Sequence, residues 1–421
     1  MDSRVLDAME EAFGGELALL PDLGSLEAAV AGKLHTLGLG LLQRVLARPP
    51  QGYGGSSLPC RCGGRLRFVA HRPRQVHTTF GWLEVWRAYY HCASCGAGEV
   101  PYDRATGLGA EQVSPALAQA CCLLAVDDSF AESSRKVREL LAEEVSAKTI
   151  ERLVHEVGGR VLQEQDRQLA SFRQDRQPPA AEAHPQRLYV AADGATAHER
   201  DGWHEAKAGR LYWEDERFER HAWTVGRFDD SQTFGWHVWL AACRCGLREA
   251  PEAVFLGDGA AWVRAEQQRH FQRATFIVDW YHANQHLWNC GKALWGEGTA
   301  ATECWSRQRE TWLWAGQTQR LLDDLAQAIP RHRGGKRAAL ESLRRYVGTN
   351  EQQMRYAVFR SQGYDIGSGA VEGACKHVIK KRLKPSGMIW TRQGSSTTLA
   401  LRVAWLNSQW QTLWASKPLA A

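Results

Sequence analysis

Apolar residues recur at helical spacing in the first part of the chain, at Val5, Met9 and Phe13 and again at Leu34, Leu37, Leu41 and Val45. The spacing predicts helix over 1–48, stopped by Pro49-Pro50, within a helical N-terminal region of 1–55. From residue 56 to 103 the pattern turns to short β-type runs, Arg65 to Ala70 and Trp82 to His91, bracketed by Cys-x-Cys-Gly-Gly and Cys-x-x-Cys-Gly. Ser114-Pro115 opens a second helical block. It holds two short helices, Ala131 to Leu141 and Lys148 to Val157, and a Gln-rich helix that runs into a linker at Pro178-Pro179, so that 104–185 forms one region.

Beyond 186 the pattern alternates. Leu188 to Ala192, Ala206 to Trp213 and His221 to Arg227 read as strands, Ser231 to Ala242 as a helix, Ala253 to Leu256 as a strand, Ala261 to Phe271 as a helix and Thr275 to Val278 as a fifth strand. A Trp-rich helical stretch then fills about 283–365, until Gly367-Ser368-Gly369 precedes a basic helix holding Glu372. Three hairpin-connected strands followed by two β-α units give an α/β class with the strand order of a ribonuclease H-like fold. It would occupy 186–421, carry an all-helical insertion before its last helix, and follow helical segments and a zinc-ribbon-like module.

No stretch approaches the roughly 18 apolar residues of a membrane helix, and Met1-Asp2-Ser3-Arg4 followed by Glu10 and Glu11 does not read as a secretion signal, so a cytoplasmic location is expected. Eleven cysteines then suggest thiols kept reduced and free for metal. The net charge is only +5, yet from Arg331 to Ala421 there are 16 Lys and Arg against 4 Asp and Glu, which leaves −7 upstream. That local excess, with Lys376, Lys380, Lys381, Arg382 and Lys384 in one run, suits a polyanion through counterion release; the alternative is a solvated helix face.

Four positions match zinc chemistry. Cys60 and Cys62, then Cys92 and Cys95, form two cysteine pairs on Gly-containing turns, with 29 residues between them for two strands. Cys243 and Cys245 have no partner pair nearby and read as structural. Between the two short helices, Ser146 stands where an N-cap belongs, which would offer Lys148, Thr149, Glu151 and Arg152 to a major groove as in a helix-turn-helix; an ordinary helical hairpin fits equally. Asp193 and Asp258 close the first and fourth strands, which are neighbours in the expected sheet, and both precede Gly. With Glu372 they would give three acidic ligands for two Mg²⁺ or Mn²⁺ ions in line with a phosphodiester. Asp279-Trp280-Tyr281-His282 ends the fifth strand, one place further out, so Asp279 and His282 are expected to support the site or touch DNA. His282, His286 and Cys290 share a helical face but carry no base for a peptidase.

Read in order, these motifs carry a family resemblance. Cys60-x-Cys62-Gly-Gly, Arg87-Ala-Tyr-Tyr-His-Cys92-x-x-Cys95, Val190-Ala-Ala-Asp193-Gly, Leu256-Gly-Asp258-Gly-Ala-x-Trp262, Asp279-Trp-Tyr-His282-Ala-x-x-His286-Leu-Trp288, Ile366-Gly-Ser-Gly-x-Val-Glu372-x-x-Cys-Lys376 and Arg382-Leu-Lys384-x-Ser-Gly-Met-x-Trp390 resemble the ISKra-type bacterial insertion-sequence transposases, over about residues 58–414. The resemblance implies a DDE transposase that cuts at insertion-sequence ends and joins 3′ hydroxyls to target DNA, with Asp193, Asp258 and Glu372 as its acidic triad. Terminal inverted repeats and target DNA would be its partners, and at least a homodimer would act on paired ends, bound to the nucleoid. Residues 1–55 match none of these motifs. A transposase-derived DNA-binding protein that no longer cuts, and a ribonuclease H-like nuclease without strand transfer, are the competing readings.

Overall fold

The computed structural model describes residues 3–47, 51–109, 111–367 and 375–415. The chain divides into two compact units, one of Met1–Leu153 with Gln411–Ala421 and the other of Val154–Trp410.

In the first unit, α1 (Ser3–Leu17) and α2 (Leu23–Leu46) are separated at Pro21-Asp22, where the Asp22 carboxylate accepts from the Ser25 amide and caps α2. A four-stranded antiparallel sheet follows in sequence order: β1 (Ser57–Pro59), β2 (Arg65–Thr78), β3 (Gly81–Cys92) and β4 (Gly98–Glu99). β2 runs eight residues past the expected Ala70. It passes through Pro73, which is tolerated because β1 pairs only with Arg65–Arg67 and leaves the outer edge of β2 unpaired there. A bulge between Phe68 and Ala70 shifts the register of this long ribbon. At the ribbon's far end Val76, Leu83 and Val85 are buried against Leu39, Leu42 and Leu46 of α2. The helices α3 (Pro101–Thr106), α4 (Pro115–Ala125) and α5 (Phe130–Leu141) come next, and α6 (Ala147–Asp175) contains the boundary between the units.

The second unit is built on a five-stranded mixed sheet, β5 (Arg187–Glu199), β6 (Gly202–Glu214), β7 (Arg220–Arg227), β8 (Glu252–Gly257) and β9 (Thr275–Val278), in the spatial order β7-β6-β5-β8-β9. β6 is antiparallel to β5 and β7, while β8 and β9 run parallel to β5. β5 does not stop at Asp193-Gly194. Its pairing with β6 continues to Glu199↔Gly202, so Asp193 lies within a strand at the point where the pairing with β8 ends. An Asp-Gly dipeptide signals a turn only when no partner strand offers it a ladder, and here Ala208 and Lys207 do.

Both faces of the sheet are covered, which is why β5 and β8 read as continuous apolar runs. Leu188, Val190, Ala192 and Phe255 pack with Phe234 and Val238 of α7 (Ser231–Arg244) and Val263 of α8 (Ala261–His270). Tyr189, Ala191, Leu256 and Ile277 pack on the other face, against a helical stretch of α9 (Trp280–Trp295), α10 (Ala300–Trp314), α11 (Thr318–Ala328), α12 (Gly334–Thr349) and α13 (Tyr356–Ser361). Each large apolar side chain so buried is worth about 1.5–3 kcal/mol. A π-helical turn at Cys375–Lys380 leads into Lys381–Leu383, and α14 (Arg392–Leu406) closes the unit. Gly158 of α6 permits its close approach to α14, since a Cβ there would stand 2.2 Å from the Thr397 carbonyl oxygen.

Candidate metal centre and acidic site

The four cysteines of the first unit converge. Cys60 Sγ is 3.6 Å from Cys95 Sγ, Cys62 Sγ is 3.7 Å from Cys92 Sγ, and all four sulfurs lie within 4.8 Å of one another. Tetrahedral zinc with Zn–S bonds of about 2.3 Å would need sulfurs about 3.8 Å apart, so spacing and donor set both fit a structural ion. Each pair sits on a tight turn. The Gly63 amide donates to the Cys60 carbonyl at 3.0 Å and the Gly96 amide to the Cys92 carbonyl at 2.9 Å, with φ of 84° and 75° that favour glycine. The Cys95 backbone amide pulls the Cys92 thiol down to about 6. Cys95 is favoured as thiolate by the Ala97 amide, yet the sulfurs of Cys62 and Cys60 push it up to about 12. Four crowded thiols cannot all ionise together, and a bound divalent cation removes that conflict.

In the second unit the register of β5 and β8 pairs Ala192 with Gly257, so Asp193, within β5, and Asp258, the residue after β8, each come one position beyond that pair on neighbouring parallel segments. Asp258 Oδ1 accepts from the Ala260 amide at 2.8 Å, and the Gly194 amide donates to Asp193 Oδ1 at 2.7 Å. The turn after Asp258 needs glycine twice over. Gly259 has φ of 83°, and a Cβ there would meet the Asn350 carboxamide at 2.9 Å. Asp279 follows β9, whose Val278 pairs with Gly257, and is therefore one strand further from Asp193.

Asp279 is 1% exposed and works through α9. Its Oδ1 accepts from the His282 amide at 2.9 Å, capping the helix, and faces His282 Nδ1 at 3.2 Å. The Asp279 hydrogen bond raises the His282 pKa, burial opposes the shift, and the charges of Asp279, Asp193 and Asp258 add to it. The imidazole thus lies within the field of all three carboxylates.

Helices far along the chain return to this point. Tyr346 Oη donates to the Asp258 carbonyl at 2.8 Å while its ring stacks on His286 at 4.1 Å, and Arg264 links the Thr349 carbonyl to Asn350 Oδ1. Tyr356 Oη donates to the Val278 carbonyl at 3.0 Å. Sequence reasoning missed Tyr346, Asn350 and Tyr356 because nothing local marks a residue in or just after a helix whose hydroxyl or carboxamide reaches a turn or strand 70 or more positions earlier. Glu372 lies outside the described residues, and so does the Lys376 side chain.

Exposure separates the members of the basic run. Lys380, Lys381 and Lys384 are exposed, whereas Arg382 is 1% exposed, its guanidinium 4.9 Å from the Trp390 ring. Trp390 is itself buried and donates from Nε1 to the Leu383 carbonyl at 3.0 Å. These two side chains pack the interior and are not presented to a ligand.

In the first unit Ser146 does cap α6, accepting from the Thr149 amide at 3.1 Å, and Val145 is buried in the turn. The cations of that turn are already engaged, Lys148 with Glu151 at 2.7 Å and Arg152 with Glu111 at 3.2 Å. Two further groups, Glu199 with Asp201 and His204, and Asp215 with Glu219 and His221, bring ligand atoms within 4.8 Å at hairpin turns. His204 pairs with Asp201 and His221 with Asp215, each at 2.9 Å, so both read as turn ion pairs. Cys243, Cys245 and Cys290 are buried, and burial pushes each thiol up to about 12, so they pack rather than react.

Compared with known proteins, residues 60–223 match an uncharacterised protein family, UPF0236. The matched span holds the four cysteines and Asp193 and ends before Asp258. No curated protein matches the chain. Among the described residues no helix is long and apolar enough to cross a membrane.

Proposed function

We propose that the chain is a DDE transposase, with a ribonuclease H-like catalytic domain that cleaves insertion-sequence ends and joins the 3′ ends to target DNA. The observation that carries the reading is the placing of Asp193 within β5 and Asp258 directly after the neighbouring parallel strand β8, in a sheet ordered β7-β6-β5-β8-β9 with β6 antiparallel. That strand order, three antiparallel strands and then two parallel ones each reached through a helix, supports the ribonuclease H-like assignment.

Asp193 and Asp258, joined by Glu372, would hold Mg²⁺ or Mn²⁺. Bound there, such ions supply activation of the attacking water or hydroxyl and stabilisation of the leaving oxygen. The chain's own residues do the rest. Asp279 holds His282 in one orientation beside the carboxylates, Tyr346 fixes the Asp258 backbone, and exposed Lys380, Lys381 and Lys384 receive phosphates of the strand being cut. Zn²⁺ held by Cys60, Cys62, Cys92 and Cys95 would keep the ribbon folded for DNA recognition. At least two copies would act on paired ends, in the bacterial cytoplasm and on the nucleoid.

The test is incubation with Mg²⁺ and a paired-end DNA substrate, resolved on a denaturing gel. A transposase yields cut and joined strands, a nuclease without strand transfer yields cut strands only, and a DNA-binding relic yields neither.

A further inference from the structure

We infer that the sequence-reading surface of the first unit is a basic face of the β2–β3 ribbon, and that it takes duplex DNA by its major groove, contacting guanine edges through Arg67 and Arg72. The inference rests on the DNA-acting reading above and deepens it.

From residue 51 to 109 the chain carries seven arginines and no lysine, against Glu84, Glu99 and Asp103. The ribbon register sorts them. Arg67 stands opposite His91, Ala70 opposite Tyr89, Arg72 opposite Arg87 and Arg74 opposite Val85, so Arg67, Arg72, Arg74 and Arg87 share one face with Tyr89 and His91. The bulge at 68–70 makes this possible, since without it Arg67 and Arg72, five positions apart, would point to opposite faces.

Two of the four are occupied, Arg74 and Arg87 both pairing with Asp103. Arg67 and Arg72 are exposed, and among the described residues no carboxylate pairs with either. Arg72 stands over the Tyr89 ring, 3.7 Å from its centroid, a contact that restrains the exposed side chain on this face.

Beyond the short edge strands β1 and β4, which flank only Arg65–Arg67 and Tyr90–His91, β2 and β3 form a two-stranded ribbon of the kind a major groove about 12 Å wide admits, with Arg72 on it and Arg67 where it begins, and arginine reads O6 and N7 of guanine bidentately there. Along β3, His91 and Arg87 are four residues apart, about 13 Å, or roughly four base steps. The helix α6 is the weaker reader on the same grounds, because its Lys148 and Arg152 are already paired. Double-stranded RNA is disfavoured, since its deep, narrow major groove excludes a ribbon.

The experiment is selection from a duplex library with 20 randomised base pairs, by the full chain in EDTA-free buffer without Mg²⁺. It compares wild type, Arg67→Lys with Arg72→Lys, and Lys148→Ala with Arg152→Ala. The lysines keep charge and leave the buried face untouched, so folding is preserved. Wild type should enrich a guanine-containing motif. The ribbon variant should lose about 10- to 100-fold in selectivity with bulk affinity within a few-fold, and the helix variant should keep the motif. No motif with wild type, an unchanged motif in the ribbon variant, its loss in the helix variant instead, or equal binding of a double-stranded RNA of the selected sequence would overturn the inference. Binding is read without cleavage, so a chain that selects a motif but never cuts DNA sinks the transposase reading and leaves this one standing.

Discussion

Replacing Asp279 with Asn isolates one charge in the acidic site. Asn caps a helix about as well as Asp, so the hydrogen bond from the His282 amide survives and the α9 terminus should change by only a few tenths of a kcal/mol. What is lost is the charge facing His282 Nδ1 at 3.2 Å. A charge-assisted hydrogen bond of this kind contributes about 1.5–3 kcal/mol, and the partial exposure of His282 argues for the lower end, about 1.5 kcal/mol. The sign of the pH dependence follows from the raised pKa of His282, whose ordinary value is 6.5. A group with a folded-state pKa above its unfolded value stabilises fully below the unfolded value and loses that contribution as pH rises through the folded one. Urea unfolding in EDTA should therefore show Asp279→Asn costing about 1.5 kcal/mol at pH 6 and far less at pH 9, and the His282 ring signal should titrate at lower pH in the variant. An equal cost at both pH values, or an unmoved His282 titration, would mean that Asp279 does not act on His282 through its charge.

Other outcomes follow from the same geometry. Metal analysis of the purified protein should find one zinc per chain, and Cys92→Ser should lose it and unfold the 58–103 module; a zinc-free chain folded there would contradict the site. Lys380→Ala with Lys384→Ala should weaken DNA binding on all sequences alike and make the salt dependence of binding shallower by about two phosphate contacts, read by titration at several salt concentrations. Arg382→Ala should behave differently, lowering the unfolding midpoint while leaving the salt slope unchanged, because its side chain is buried beside Trp390.

Strand positions in the second unit were legible because both sheet faces are covered and the apolar runs are unbroken: Thr275–Val278 falls where the sequence puts it, and β7 and β8 within a residue at each end. Strand ends were less legible. β5 and β6 extend as a ribbon past Asp193 because each supplies the other's backbone partners, and pairing of that kind leaves no mark in either segment alone. The cysteine pairs could be picked out because their spacing carries the chemistry, and Asp193 and Asp258 because both follow the apolar runs that pair as β5 and β8, although Asp193 lies within β5 and not at its end. The fate of the basic run could not, since the sequence Lys-Lys-Arg-Leu-Lys reads as one polar face. Only packing shows that Arg382 turns inward to Trp390 while its neighbours face solvent. For the same reason Tyr346 and Asn350 escaped notice, as their partners belong to the turn after β8.

Asp193 and Asp258 are proposed to form, together, a metal-dependent phosphodiester site. It is tested most directly by assaying Asp258→Asn and Asp279→Asn side by side, with Asp193→Asn and Glu372→Gln, on paired-end DNA with Mg²⁺. Asp193→Asn, Asp258→Asn and Glu372→Gln should bind ends nearly as wild type yet give no cut or joined strand, and Asp279→Asn should retain reduced activity. Cleavage by the Asp258→Asn variant, or complete loss confined to Asp279→Asn, would mean that Asp258 is not the partner of Asp193.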